Sequence, residues 1–125
     1  MPNDINKLRR LMRRANYIHQ ETDKYIDMSK SLRYAWGFEE LRKALSKGFV
    51  RFRYTKADGS ARTALGTLSP SLIPIEKLPK GDDASNKIHY VVKAFAYFDL
   101  EKMEWRSFNV LNWAGIEQVW TINEI

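Results

Sequence analysis

The chain has 125 residues, of which 44% are hydrophobic and 29% are charged, and it carries a formal net charge of +6. This length suits one compact domain with an appendage, and the composition is typical of a folded globular protein. The lack of cysteine excludes a disulfide framework and a thiolate metal site, and no apolar run approaches the roughly 18 residues of a membrane span.

The positive charge is concentrated in the first half of the chain. Residues 1–56 contain fourteen Lys or Arg and six Asp or Glu, a net charge of +8, whereas residues 57–125 carry a net charge of −2. A basic segment beside a nearly neutral one is typical of proteins that bind phosphate backbones, but it is also typical of solvated helices. A nucleic acid is therefore one candidate partner.

The N-terminal part of the chain predicts helices. Between residues 3 and 25 apolar side chains recur at helical spacing and basic ones project from the other side. The apolar positions are Leu8, Leu11, Met12, Ala15 and Ile18. A second helix is predicted over residues 29–36, an interruption at Gly37, and a third short helix before Gly48. We expect a basic helical region at residues 1–37.

Residues 49–68 predict a β-hairpin. Its first strand alternates between apolar and basic side chains, which places Val50, Phe52 and Tyr54 on one face. Asp58 and Gly59 supply the tight turn. The alternation also favours burial of Tyr54, because its two companions on that face are apolar.

The rest of the chain predicts three further strands. Residues 69–86 hold three of the four prolines and predict a loop, and residues 88–100 form the longest β run. Residues 105–110 predict a returning strand and residues 116–121 a closing strand, with room for a 3₁₀ turn at residues 111–115. The prediction is an α+β fold in which N-terminal helices precede a five-stranded antiparallel β-barrel of the Sm-like or SH3-like type at residues 38–125.

Two groups of basic residues are candidate nucleic-acid contacts. The helical group is Arg9, Arg10, Arg13 and Arg14, which could meet several phosphates, or could form a solvated or partner-bound face. The barrel group is Arg51, Arg53, Arg62 and Arg106 on neighbouring strands. Tyr54 could add a stacking surface there, although an aromatic residue in a small barrel is more often buried.

No pattern typical of catalysis or of metal binding occurs in the chain. His19 and His89 lack partners at metal-ligand spacing. The carboxylates in turns are interpreted as solvated; they are Asp82, Asp83, Asp99, Glu101 and Glu104. Most of the four tryptophans are expected in the core, with one or two near the C-terminus exposed at a protein interface. We therefore expect a non-enzymatic protein with no catalytic residue, no metal and no cofactor.

An ordered set of short segments resembles the WYL-like proteins, which have an Sm-like SH3 β-barrel fold. The segments are residues 50–54, 58–60, 66–68, 73–74, 97–99 and 105–108. The likeness is to a short branch found in gut anaerobes, their mobile elements and their phages. It implies a regulatory module that binds a ligand or nucleic acid through a polar patch, to which Tyr54 and Arg106 correspond. The Trp-Tyr-Leu triplet of the family has no equivalent around residues 93–95.

Three functional hypotheses follow. The first is an accessory or regulatory protein of a bacterial or phage mobile element that binds nucleic acid. The second is a protein-interaction or structural module that docks on another chain or forms a homo-oligomer. The third is a small-ligand-sensing domain with a pocket near Tyr54 and Arg106. In each case we expect a cytoplasmic protein of the bacterial host cell, or one associated with a virion, and no membrane partner.

Overall fold

The computed structural model describes residues 5–22, 27–79 and 92–122. Helices α1 (Ile5–Glu21) and α2 (Met28–Lys47) come first. Five strands follow: β1 (Gly48–Thr55), β2 (Ala61–Thr67), β3 (Ala94–Asp99), β4 (Glu104–Asn109) and β5 (Trp113–Thr121). The chain divides into two compact units, Met1–Leu41 and Arg42–Ile125, with the boundary inside α2. We call them the helical unit and the barrel unit.

The helical unit buries only part of the apolar side predicted for α1. Ala15 and Ile18 are buried, and so are Ala35 and Phe38 of α2, but Leu8 is 47% exposed. Met12, also expected inside, is 43% exposed. Apolar spacing alone therefore overestimated how much of α1 the fold covers.

Helix α2 runs without a break through Gly37, so the predicted interruption and the separate third helix are wrong. Asp27 begins the helix, because its Oδ1 accepts a hydrogen bond from Lys30 N at 2.9 Å. A glycine inside a helix costs about 1 kcal/mol relative to alanine. A helix of 20 residues with good helix formers on both sides of Gly37 tolerates that cost.

The five strands form one antiparallel sheet in the order β4-β3-β2-β1-β5. β1 lies inside the sheet and pairs along its length with β2 on one side and β5 on the other. β2 and β3 pair only at Gly66 with Asp99 and at Thr67 with Phe98. The predicted order of N-terminal helices followed by five antiparallel strands is therefore confirmed.

The barrel core is built from aromatic rings. Val50, Phe52 and Tyr54 are buried, as the alternation in β1 predicted. The ring of Phe52 meets Tyr97 edge-on with centroids 5.0 Å apart, and the ring of Phe108 lies 5.8 Å away. Such edge-to-face and tilted contacts are the arrangements that aromatic pairs prefer.

The tryptophans lie mainly outside this core, so the expectation that most are buried is wrong. Trp36 is 47% exposed and Trp105 is 38% exposed. Trp105 Nε1 donates a hydrogen bond to Lys77 O at 2.8 Å. Trp120 stacks on Phe49 with centroids 4.8 Å apart. Phenylalanine and tyrosine supply the fully buried rings of the core, and the half-buried Trp113 packs against them.

Some predictions fall outside the described residues. Residues 80–91 include Asp82, Asp83, His89 and the start of the β run predicted at residues 88–100. Within the described part, β3 begins at Ala94, and the 3₁₀ turn expected before the last strand is found at Val110–Asn112. No helix among the described residues is long and apolar enough to cross a membrane.

Candidate functional site

A buried polar network lies where β1, β2 and β3 meet. The hydroxyls of Tyr54 and Tyr97 are 2.7 Å apart and share a hydrogen bond. The Arg62 guanidinium donates to Oδ2 of Asp99, whose side chain is fully buried. Because Tyr54 is paired directly with Arg62 in the sheet, both side chains lie on the same face. Arg62, predicted as a surface contact, is thus an interior residue.

Asp99 is the centre of this network, so its interpretation as part of a solvated turn is wrong. Its Oδ1 accepts hydrogen bonds from Glu101 N at 2.9 Å and from Lys102 N at 3.0 Å. Its Oδ2 also lies 3.9 Å from Nε of Arg106. A buried carboxylate is stable only when it is paired and hydrogen-bonded, and Asp99 meets both conditions.

The surroundings set the protonation states in the network. Burial alone would lower the pKa of the Arg62 guanidinium, but its hydrogen bonds to Tyr97 and Asp99 outweigh burial and raise that pKa. Burial, together with the hydrogen bond to Tyr54, raises the pKa of the Tyr97 phenol well above its ordinary value. The network therefore contains the Arg62–Asp99 ion pair beside a Tyr97 phenol that stays neutral at physiological pH.

A cleft of about 310 Å³ opens beside this network. Its polar lining is formed by Tyr54, Thr55, Lys56, Arg106, Ser107, Asn109 and Asn112. The described lining residues include two cations and no carboxylate. Tyr54 and Arg106, which the family resemblance assigned to one polar patch, thus line one cavity. The remaining lining positions carry no sequence motif, because they come from segments about fifty residues apart.

Two short local structures hold the cleft walls in place. At the end of β1, Lys56 N donates to Ser60 O at 2.8 Å, and Gly59, at φ +91°, completes the turn. After β4, Oδ1 of Asn109 accepts a hydrogen bond from Leu111 N at 2.8 Å and caps the 3₁₀ turn. Cations and amide donors on a fixed backbone favour a small anionic group as the occupant.

Ion pairs also engage the exposed arginines of the barrel. Arg53 Nε lies 3.1 Å from Oε2 of Glu117. Arg106 donates to Oε2 of Glu104 at 2.9 Å, and the side chain of Arg106 is 33% exposed. Such exposed pairs contribute about 0–1 kcal/mol, so an incoming anion can replace the carboxylate. Arg51 is half-buried on β1.

The four helix arginines do not share one exposed face. Arg9 and Arg13 are exposed, as expected. Arg10 pairs with Oε1 of Glu39 at 3.0 Å. Arg14 is 1% exposed, with its guanidinium 5.5 Å from the ring centroid of Phe38. The spacing could have shown this, because Arg10, Arg14 and the apolar Ile18 recur at every fourth position.

Of the two roles predicted for Tyr54, the structure shows burial in the barrel and not an exposed stacking surface. It is 5% exposed, and its ring already stacks on Phe108 with centroids 4.8 Å apart. Its hydroxyl is bonded to Tyr97. Tyr54 therefore shapes the cleft wall and offers little surface to a base.

A family model described as WYL_2, with an Sm-like SH3 β-barrel fold, matches residues 38–113. The chain belongs to this family. The match covers β1 to β4 and every residue of the cleft and of the buried network. It confirms both the WYL-like resemblance and the barrel class predicted from the sequence. No curated protein and no solved structure matches the chain.

Proposed function

We propose that this WYL_2 protein is a non-enzymatic accessory or regulatory protein of a bacterial or phage mobile element that binds nucleic acid. In this proposal a phosphate group of the strand is held in the cleft of the barrel unit. The observation that carries the proposal is the convergence of Lys56 and Arg106 on one cavity with no carboxylate among its described lining residues. The proposed location is the cytoplasm of the host cell.

The chemistry of the cleft suits a phosphate ester. Lys56 is exposed and supplies a point charge, and Arg106 supplies a planar group that can donate two hydrogen bonds to one phosphate. Asn109 and Asn112 add amide groups to the lining. Arg53, outside the cleft, could extend the contact once Glu117 gives way.

A free nucleotide carries the same phosphate chemistry as a strand, so small-ligand sensing is the close alternative. It is favoured by the fact that Tyr54 and Arg106 line one cavity. The two sources differ in how many charges they neutralise. A strand reaches cations beyond the cleft and its binding should fall steeply with salt, whereas one nucleotide should show a shallow salt dependence.

The experiment measures fluorescence anisotropy of labelled, mixed-sequence single-stranded DNA and RNA with the full chain at about 50 mM and about 200 mM salt. Mononucleotides serve as unlabelled competitors. The variant Lys56→Gln with Arg106→Gln removes both cations of the cleft. Lys77→Gln is the matched control, because Lys77 is exposed on the same unit and does not line the cleft.

We expect the wild-type chain to bind the strands. The double variant should weaken this binding about tenfold or more, and Lys77→Gln should leave it unchanged. The slope of log K against log salt should fall by about two for the double variant. Competition by mononucleotides with little strand binding would assign the cleft to a small ligand. Absence of binding to strands and nucleotides at low salt would rule out both functions.

A second candidate function is a self-assembling protein-interaction module. It is favoured by β5, which ends the described sheet and exposes Ile116 and Val119 by 49% and 43%. Unpaired edge strands can add a strand from another chain. Light scattering over a range of concentrations tests this function. A rising mass that Ile116→Thr with Val119→Thr reduces would support it, and a constant monomer mass would exclude it.

A further inference from the structure

The first helix exposes an apolar row that neither the cleft nor the nucleic-acid proposal uses. Ile5, Leu8 and Met12 of α1 are 54%, 47% and 43% exposed. Their spacing of three and four residues aligns them along about 10 Å of one side of the helix. Three neighbouring apolar side chains in one row differ from single exposed ones, which are normal on any surface.

This row lies between two different surfaces of α1. At about 100° per residue, the buried Ala15 and Ile18 fall on one side of the row and Arg9 and Arg13 fall on the other. The two arginines are exposed and four residues apart, so they form a cationic row parallel to the apolar one. The only carboxylate of α1 is Glu21 at its C-terminal end.

We propose that these two rows together, the α1 stripe, dock an acidic amphipathic helix of another protein. Leu8 and Met12 would lie at the centre of the contact, where the unbranched methionine adapts to the partner surface. Carboxylates along one side of the partner helix would pair with Arg9 and Arg13. Charge complementarity of this kind fixes both orientation and partner choice.

The same charges disfavour other occupants. In an antiparallel pairing with a second copy of the chain, Arg9 and Arg13 of both copies would face each other, and like charges at that distance repel. A nucleic acid would contact the arginines and leave the apolar row in water. A lipid surface takes up the whole apolar side of a helix, but Ala15 and Ile18 are buried within the protein.

The probe is a labelled synthetic peptide of about three heptads, with leucine at the a and d positions and glutamate at e and g. A second peptide with lysine in place of glutamate is its matched control. Binding to the full chain is measured by fluorescence anisotropy. The variants are Leu8→Ser with Met12→Ser, Arg9→Glu with Arg13→Glu, and Asn6→Ser as an exposed control on the same helix.

The wild-type chain should prefer the acidic peptide. Leu8→Ser with Met12→Ser should weaken binding at least about tenfold, and Arg9→Glu with Arg13→Glu should shift the preference to the lysine peptide. Asn6→Ser should change neither. Circular dichroism confirms that each variant keeps its helix content, and every substituted position is exposed.

Three results would overturn the proposal. The first is no binding of the acidic peptide, or binding that Leu8→Ser with Met12→Ser leaves unchanged. The second is binding to vesicles containing about 30% phosphatidylglycerol that depends on Leu8 and Met12 without peptide binding. The third is a dimer that the same variant dissociates. None of these results involves the cleft, so the nucleic-acid proposal stands or falls separately.

Discussion

The two units differ in how they take arginine into the interior. In the helical unit, Arg14 lies over the ring of Phe38, and the side chain of Arg10 pairs with that of Glu39. In the barrel unit, Arg62 is bound to Asp99, which also holds two backbone amides of the β3–β4 turn. The barrel contact therefore couples a charge pair to the backbone of a turn.

This difference predicts which of the two ion pairs is more costly to break. The side chain of Arg10 is 29% exposed, so water can solvate it if its partner is lost. The side chain of Arg62 is 16% exposed and that of Asp99 is 0% exposed. Removing one partner in the barrel leaves a charge with little access to water, which is the costly case.

The largest expected effect follows directly from this comparison. Asp99→Ala should lower the free energy of unfolding by about 3–5 kcal/mol, because Arg62 loses its buried partner and the turn loses its acceptor. Glu39→Ala in the helical unit should cost less, about 1–2 kcal/mol, because the Arg10 side chain left behind is 29% exposed and can be solvated. Urea unfolding followed by tryptophan fluorescence measures both. Equal losses in the two variants would mean that the units do not differ as described.

Two glycines, Gly48 in the barrel unit and Gly37 in the helical unit, allow the two units to be compared through substitutions to alanine. A Cβ at Gly48 would lie 1.9 Å from Trp120 O, which is backbone and cannot move away as a flexible side chain would. Gly48→Ala should therefore cost about 3 kcal/mol, at the upper end of the range for overpacking.

Gly37 is the matched control, because a Cβ there meets nothing within 4 Å. Gly37→Ala should raise the free energy of unfolding by about 0.5–1 kcal/mol, since alanine has the higher helix propensity. Urea midpoints of the two variants should move in opposite directions. A loss of stability in Gly37→Ala would show that α2 requires glycine at this position.

Local patterns predicted β1 and β2 of the barrel well, because strand alternation and turn residues both involve neighbours along the chain. Alternation alone located the buried Val50, Phe52 and Tyr54, and the turn at Asp58 and Gly59 located β2. The helix patterns were less informative. Apolar spacing shows which side of α1 is hydrophobic, but not how much of that side the fold covers.

The candidate site could not be read from local patterns. Arg62 and Asp99 are 37 residues apart, and each taken alone resembles a surface charge in a strand or turn. Counting by two through β2 would have placed Arg62 on the same face as the buried Ala64 and Gly66. The alternation along β2 does not identify Asp99 as the partner of Arg62. The cleft likewise joins Lys56 to Asn109 and Asn112, which form no motif in the sequence.

A smaller effect is expected from the tyrosine pair of the network. Tyr54→Phe should cost about 1–2 kcal/mol, because the Tyr97 hydroxyl loses a buried partner 2.7 Å away. Tyr34→Phe in the helical unit should have almost no effect, since Tyr34 is 50% exposed. Urea unfolding of both variants checks this. Similar values for the two would show that the Tyr54–Tyr97 hydrogen bond contributes nothing to stability.

The smallest effect appears at high pH. In the unfolded chain tyrosine ionises near pH 10, whereas burial raises the pKa of Tyr97 in the folded protein. Above about pH 10 the unfolded state therefore loses its proton first, so this contribution to stability is complete below that pH and is lost as pH rises toward the folded-state pKa. Urea midpoints at about pH 9 and about pH 11 should fall less for Tyr97→Phe than for the wild type. Tyr34→Phe serves as the exposed control. An identical fall in all three proteins would exclude Tyr97 as the source.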